Sequence, residues 1–336
     1  MRRLATLVLM LMLFKSLSAG DPESSPPPKD TLPASFSLNA IPLGLDANRS
    51  VPKDNPLTHE KIRLGRRLFF DPILSVDGTI SCASCHDPAH GLAGRERLAR
   101  GVRGQHTHRN PPSLWNRAYG AAFFWDGRES SLEAQALKPI ESPTEMGGSI
   151  NQTVERLRAH QEYPALFQSA FGEKVNADNL AKSLASFERV LLSGNSRVDR
   201  FRAGEVRALS ENERHGLWLY ESRGGCWRCH SGPNFSDEGF HNTGVSWDQP
   251  PLDLGRFAIT NKDSDRGRFK TPSLRNVALT APYMHDGGLA TLEDVIDFYN
   301  RGGSKNPYLE ATVKPLGLTP EDKKDLVAFL KALTGE

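Results

Sequence analysis

Cys82-Ala-Ser-Cys85-His86 and Cys226-Trp-Arg-Cys229-His230 between them contain every cysteine of the chain. Both read CxxCH, the pattern that attaches a c-type haem. Two thiols three positions apart can add to the two vinyl groups of one porphyrin, and the next residue brings an imidazole to the iron. A thioredoxin-like redox site seldom has histidine directly after the second cysteine and does not need two copies. A zinc site would have to join pairs from opposite halves of the chain and would leave both histidines as coincidence. Disulfides in an oxidising compartment leave the histidines equally unexplained. The two motifs therefore predict two covalently bound haems c, with His86 and His230 as proximal iron ligands.

The flanking sequence predicts helices around each motif. Thr58 through Phe70 carries Ile62, Leu64, Leu68 and Phe69 at helical spacing and leads into the first motif. Ser210-Glu-Asn-Glu213 is a capping box; it opens a helix with Leu217, Trp218 and Leu219 that should end at Gly224-Gly225, just before the second motif. Thr319-Pro320 starts a last helix whose stripe is Leu326, Val327, Phe329, Leu330 and Leu333. Few alternating β-branched runs occur. The expected fold is mainly α: two cytochrome c-like domains, at 43–200 and 201–336, each with one covalent haem and long loops. A chain of 336 residues is long enough for two domains of about 150 residues.

Arg2 and Arg3 precede a largely apolar run from Leu4 to Phe14, and Ser16, Ser18, Ala19 and Gly20 follow. This is the grammar of a secretory signal peptide, assigned to 1–19. The run is too short to span a hydrocarbon core, which needs about 20 apolar residues. Residues 20–42 begin rich in Pro, Ser and charge and read as a flexible linker. The expected mature protein is periplasmic, with no membrane span. Lys plus Arg total 42 against 40 acids, which lacks the basic footprint of a nucleic-acid binder. Loss of Arg2, Arg3 and Lys15 with the signal, and of no acid, turns this balance slightly negative. Of five methionines, only Met146 and Met284 lie beyond the signal.

Between and around the motifs the chain reads LGRRLFFDPILSVDGTISCASCH (64–86), RNPPSLWN (109–116), FFWDGR (123–128) and SLEAQALKPIESPTEMG (131–147). It continues with GCWRCHSGPNF (225–235) and FKTPSLRNVALTAPYMHDGGLATLEDVIDFYNRGG (269–303). In these segments it resembles the bacterial dihaem cytochrome c peroxidase family, and within it the MauG branch, from about Asn55 to Leu333. The resemblance implies a peroxidatic N-terminal haem and a C-terminal haem that passes electrons to it. It implies Glu145 as the distal acid–base group, Gln135 as the residue orienting peroxide, and Trp125 as the relay between the haems. Pro139 would shape the distal pocket, while Asp126 and Arg128 brace their loop. A calcium ion held by the Asn110 side chain and the carbonyls of Thr280 and Pro282 is also implied.

Two positions separate subfamilies. The electron-transfer peroxidases carry a distal histidine whose register falls on Val102; His106 and His108 lie nearby, out of register. The sixth ligand of the second haem falls on Tyr299, where the peroxidases with a methionine ligand differ and the MauG branch has tyrosine. Phenolate is a hard anionic donor that stabilises higher oxidation states, whereas methionine raises the potential. The tryptophan that the MauG branch places just before the second motif is Gly224 here, with Trp227 and Trp218 nearby but out of register. The expected function is peroxide reduction at the N-terminal haem, with a small redox protein (cytochrome c or cupredoxin) or a protein residue as donor. The alternatives are a MauG-like enzyme that matures a quinone cofactor in a protein substrate, and a dihaem electron carrier without catalysis.

Overall fold

Backbone N–H groups at a helix start have no intrahelical partner, and this chain supplies a side-chain acceptor at most of its longer helices. Thr58 accepts from Lys61 and opens α1 (His59–Phe70). The first CxxCH motif forms one turn, α2 (Cys82–Cys85). Ser131, Ser149 and Asn176 cap α3 (Leu132–Glu141), α4 (Ile150–Ala159) and α6 (Ala177–Glu188), with α5 (Tyr163–Phe171) between the last two. Capping boxes open α7 (Arg197–Arg202), α8 (Glu211–Glu221), α10 (Leu292–Asn300) and α11 (Pro320–Lys331). A short turn, α9 (Phe257–Thr260), lies between them. Two-residue strands Phe240–His241 and Phe269–Lys270 form one antiparallel pair. This computed structural model describes residues 37–335, so the signal segment and the linker up to 36 lie outside the described residues.

The fold is mainly helical, with two large clusters of buried apolar side chains. One is built on α1, α3 and α6 and includes Ile62, Leu68, Phe69, Ile140 and Leu184; the other is built on α8, α10 and α11 and includes Leu219, Ile296, Phe329 and Leu330. The two are assembled the same way. A Cβ added to Gly65 of α1 would lie 1.9 Å from the Ser183 carbonyl oxygen on α6, and one added to Gly216 of α8 would lie 2.0 Å from that of Asp325 on α11. Each helix pair thus crosses backbone against backbone, at a point only glycine leaves open. Phe187 and Phe329 flank the two crossings in the same manner, their Cβ atoms 2.9 and 2.7 Å from those positions.

A second correspondence, at its own fixed spacing, runs through Ser113-Leu-Trp-Asn116 and Ser273-Leu-Arg-Asn276. Asn116 and Asn276 are both left-handed, at φ 60° and 59°. Each holds the chain beyond the crossing helix: their amides donate to Leu191 and Leu333 carbonyls, and their side-chain oxygens accept from Ser193 and Gly335. Bridges Phe123–Glu129 and Tyr283–Leu289 then close the turns that carry Trp125 and His285. In the helices that follow, α3 and α10, Pro139 falls at the position of Tyr299.

The helix before the second motif ends at Glu221, earlier than its glycines suggest. Ser222 closes on the Trp218 carbonyl, and Gly225, at φ 62°, re-aims the chain into the Cys226–Arg228 turn. Gly216→Ala must push α8 off α11, and overpacking of this kind costs about 1–3 kcal/mol. Denaturant unfolding of the holoprotein is expected to show a loss in that range; an unchanged midpoint would refute the close crossing.

Candidate active site

Each motif presents its histidine in the same electrostatic setting. His86 Nδ1 lies 3.2 Å from the Leu92 carbonyl oxygen and His230 Nδ1 lies 3.1 Å from that of Phe235. A carbonyl only accepts, so Nδ1 carries the proton and Nε2 keeps the lone pair an iron needs. Burial pushes both imidazoles down to about 4, so they stay neutral at physiological pH. The four cysteines are free. Burial pushes the Cys85 thiol up to about 11, that of Cys226 to about 12, and that of Cys82 higher still. That is the reverse of a redox-active CxxC, whose attacking thiol is lowered. Among the described residues, the one cluster with metal-ligand spacing is Cys229–Asp237–His241, which draws on a single cysteine.

The first motif opens into a small cavity of about 50 Å³. Cys82, Cys85 and His86 line one side; Gln135, Pro139 and Glu145 are also in its wall. Gln135 and Pro139 sit one turn apart on α3, and Pro139 lacks the N–H that would otherwise bond the Gln135 carbonyl. Glu145 is carried by a turn tied back to that helix: Gly147 donates to Ser142, Met146 to Pro139 at 3.1 Å and Gly148 to Ile140 at 2.8 Å. Burial raises the Glu145 carboxyl, against weaker opposing effects from the Ser142 hydroxyl, Arg128 and His108. Val102, fully buried, donates its N–H to the Glu145 carbonyl at 2.8 Å. His106 and His108 are both exposed. The side chain at the register of the distal histidine is therefore apolar.

Tyr299, on α10, stands beside the second motif. Burial pushes its phenol up to about 12; the Thr243 hydroxyl opposes the shift, and Cys229 and Cys226 add to it. Only an adjacent cation would hold such a group as phenolate. At Gly224 an added Cβ would lie 2.7 Å from the Leu219 carbonyl oxygen, so the backbone there admits no larger side chain without moving. Trp218 and Trp227 are exposed at 54% and 46%, outside both cores.

Between the two halves stands Asn110. Its carbonyl accepts from Trp125 Nε1 at 2.8 Å, its N–H donates to the His285 carbonyl at 2.8 Å, and its Nδ2 donates to that of Pro282 at 2.6 Å. Its Oδ1 is buried with no partner. The Trp125 and His285 rings meet edge to face at 6.4 Å, and His285 stacks on Phe269 at 3.6 Å. Arg109 spans the halves, bonding Asp126 at 2.6 Å and both oxygens of Asp253 at 2.7 and 2.9 Å. Asp126 also takes Arg128, so both residues brace the loop that aims Trp125.

Residues 59–207 match the family described as di-haem cytochrome c peroxidase. The chain is 44% identical over 287 residues to the methylamine utilization protein MauG of Methylorubrum extorquens, covering 85% of this chain and 81% of that protein. The chain belongs to the di-haem cytochrome c peroxidase family. A cytochrome-c peroxidase, IdrP1, of Denitromonas iodatirespirans is 37% identical and covers 99% of this chain and 92% of its own. The crystal structure of a MauG-like protein associated with microbial copper homeostasis superimposes with a TM-score of 0.80 at 35% identity, covering 91% of this chain and 96% of that one. This di-haem peroxidase is thus an oxidoreductase acting on hydrogen peroxide, and its family implies two haems c. The free cysteine pairs and the two neutral, half-buried histidines fit them. Gln135 and Glu145, legible from motifs, meet at one cavity. Glu188, in the wall of the same cavity, was not legible: it lies in a helix with no motif around it.

Proposed function

We propose that this di-haem peroxidase reduces hydrogen peroxide at the N-terminal haem, held by Cys82, Cys85 and His86, with electrons relayed from the C-terminal haem, held by Cys226, Cys229, His230 and Tyr299. The observation that carries the reading is the single cavity shared by the first motif, Gln135 and Glu145. Haem held by these residues would supply a redox-active iron for peroxide chemistry. Glu145, as carboxylate, accepts the proton of one peroxide oxygen and returns it to the other. Gln135 donates an amide hydrogen bond that orients the peroxide. Pro139, which falls at the position of Tyr299 and offers no ligand atom, and apolar Val102 leave that space open. A non-catalytic electron carrier has no use for an acid–base pair in such a cavity.

Trp125 is the relay between the halves, with its N–H held on the Asn110 carbonyl. Calcium fits at the same hub. The orphaned Asn110 Oδ1 is an unused oxygen donor, and the amide already approaches the Pro282 carbonyl; with the Thr280 carbonyl these make three oxygen ligands, the donor type calcium takes. Such an ion would fix the Asn110 backbone that positions Trp125. The donor is a small redox protein, a cytochrome c or cupredoxin. Tyr299 favours a second reading, oxidation of a residue in a protein substrate as in MauG, but the tight backbone at Gly224 counts against quinone-cofactor maturation by the MauG route. The Arg2-Arg3 and Leu4–Phe14 grammar supports periplasmic export. Among the described residues no helix is long and apolar enough to cross a membrane.

Glu145→Gln should lower peroxide turnover about 10²–10⁴-fold. The carboxylate is the active form and burial raises its pKa, so wild-type kcat/KM should fall as pH drops toward a midpoint above the ordinary carboxylate range, and the variant should lack this limb. Wild-type rates in Glu145→Gln refute the assignment. Tyr299→Phe should abolish the phenolate-to-iron absorption of the ferric protein and raise the potential of one haem; a methionine–iron charge-transfer band in wild type would overturn the ligand. Chelation of calcium should slow electron transfer between the haems with little change in the haem Soret bands. An unchanged transfer rate in chelator-treated, calcium-free protein removes the ion from the hub.

A further inference from the structure

Glu188, the last residue of α6, has no part in the steps above. It is 5% exposed and lines the cavity that contains Cys82, His86, Gln135 and Glu145. Its Oε2 is buried without a hydrogen-bond partner. An ionised carboxylate in that position would pay the full cost of desolvation. The cations that influence it are committed elsewhere. Arg189 holds both oxygens of Glu133 at 2.7 Å, and Arg117 holds those of Glu238 at 2.9 and 3.1 Å. Glu133, on α3, adds repulsion, and the other titratable groups around the cavity are Glu145, the Cys82 and Cys85 thiols and the His86 imidazole. Burial, the largest effect, pushes Glu188 up to about 8, so it remains a carboxylic acid at neutral pH.

The fold does not require an acid there. Phe187 beside Gly65 corresponds to Phe329 beside Gly216, and the next residue in the second half is Leu330, 6% exposed. The same helix corner is built with leucine where no peroxide cavity adjoins it.

Peroxide reduction consumes protons: H2O2 + 2 H+ + 2 e− gives 2 H2O. Glu145 carries a proton from one oxygen to the other and adds none. When the O–O bond breaks, the first water leaves with both peroxide protons, and the second oxygen needs two protons and two electrons. We propose that Glu188 is the internal proton donor of the peroxide cavity. Its O–H bond breaks as the proton passes to the second oxygen, the electrons come from the donor through the second half, and the other proton comes from solvent. Solvent then reprotonates the Glu188 carboxylate. This step rests on peroxide being reduced beside Glu145.

The test uses the holoenzyme and Glu188→Gln. At pH 7 the infrared difference between wild type and variant should contain a carboxylic-acid C=O stretch that moves in D2O and converts to carboxylate between about pH 7 and 9. Turnover should fall about 10- to 100-fold in the variant, less than for a group acting on every proton of the reaction, with an unchanged Soret band and cyanide affinity. The wild-type rate should decline above about pH 8, and the variant should lose that limb. Absence of the acid C=O band overturns the proposal, as does turnover within about twofold of wild type with the alkaline limb intact. Glu145→Gln reports separately: if it turns over like wild type, the acid–base reading fails, while the infrared band still judges the state of Glu188.

Discussion

Both haem motifs depend on keeping a half-buried imidazole neutral with Nε2 free. One main-chain carbonyl in each half does this, Leu92 for His86 and Phe235 for His230. A carbonyl anchors the Nδ1 proton without introducing charge, so burial keeps the ring unprotonated. The surrounding architecture serves that requirement. Two helix pairs cross at Gly65 and Gly216 so closely that no side chain fits between them, and each motif is presented from the loop that follows. A carboxylate partner would bind iron-bound histidine more strongly but would also draw a proton onto the ring of the free protein.

The halves share a scaffold and differ at a handful of positions, and those differences divide the labour proposed for them. Pro139 and Tyr299 occupy corresponding turns of α3 and α10. Glu188 and Leu330 occupy the same corner of α6 and α11. Trp125 and His285 occupy the same turn, and there the two halves meet edge to face. One half thus gains acidic groups around an open cavity, while the other gains a phenol beside its thiols. Repetition of a stable frame leaves these few side chains free to specialise, because the glycine crossings and asparagine anchors hold the backbone regardless of them.

Asn110 is where the two halves are joined most economically. One residue fixes the Trp125 indole, the His285 backbone and the Pro282 carbonyl. Arg109, its neighbour, adds a partly buried ion-pair network to Asp126 and Asp253. A cation at the unused Asn110 oxygen would stiffen the same junction, so that relay geometry and domain contact become one mechanical unit.

The sequence by itself determined the cofactor class and the helical character, and its motifs singled out Gln135 and Glu145. CxxCH, the capping boxes and the Gln135 and Glu145 motifs are local patterns, and local patterns are written in short stretches of chain. Thr58, Ser210 and Thr319 accordingly cap the helices they were expected to open. Only the tertiary structure decided which of these residues share a cavity and how Val102 and the exposed histidines stand around it. It also brought out the pairing of Pro139 with Tyr299 and the isolation of Glu188. Helical periodicity marks Glu188 as merely one more residue at the end of α6. Its setting comes from what helical periodicity does not show: burial in the wall of the cavity, and two arginines, Arg189 and Arg117, already claimed by other carboxylates.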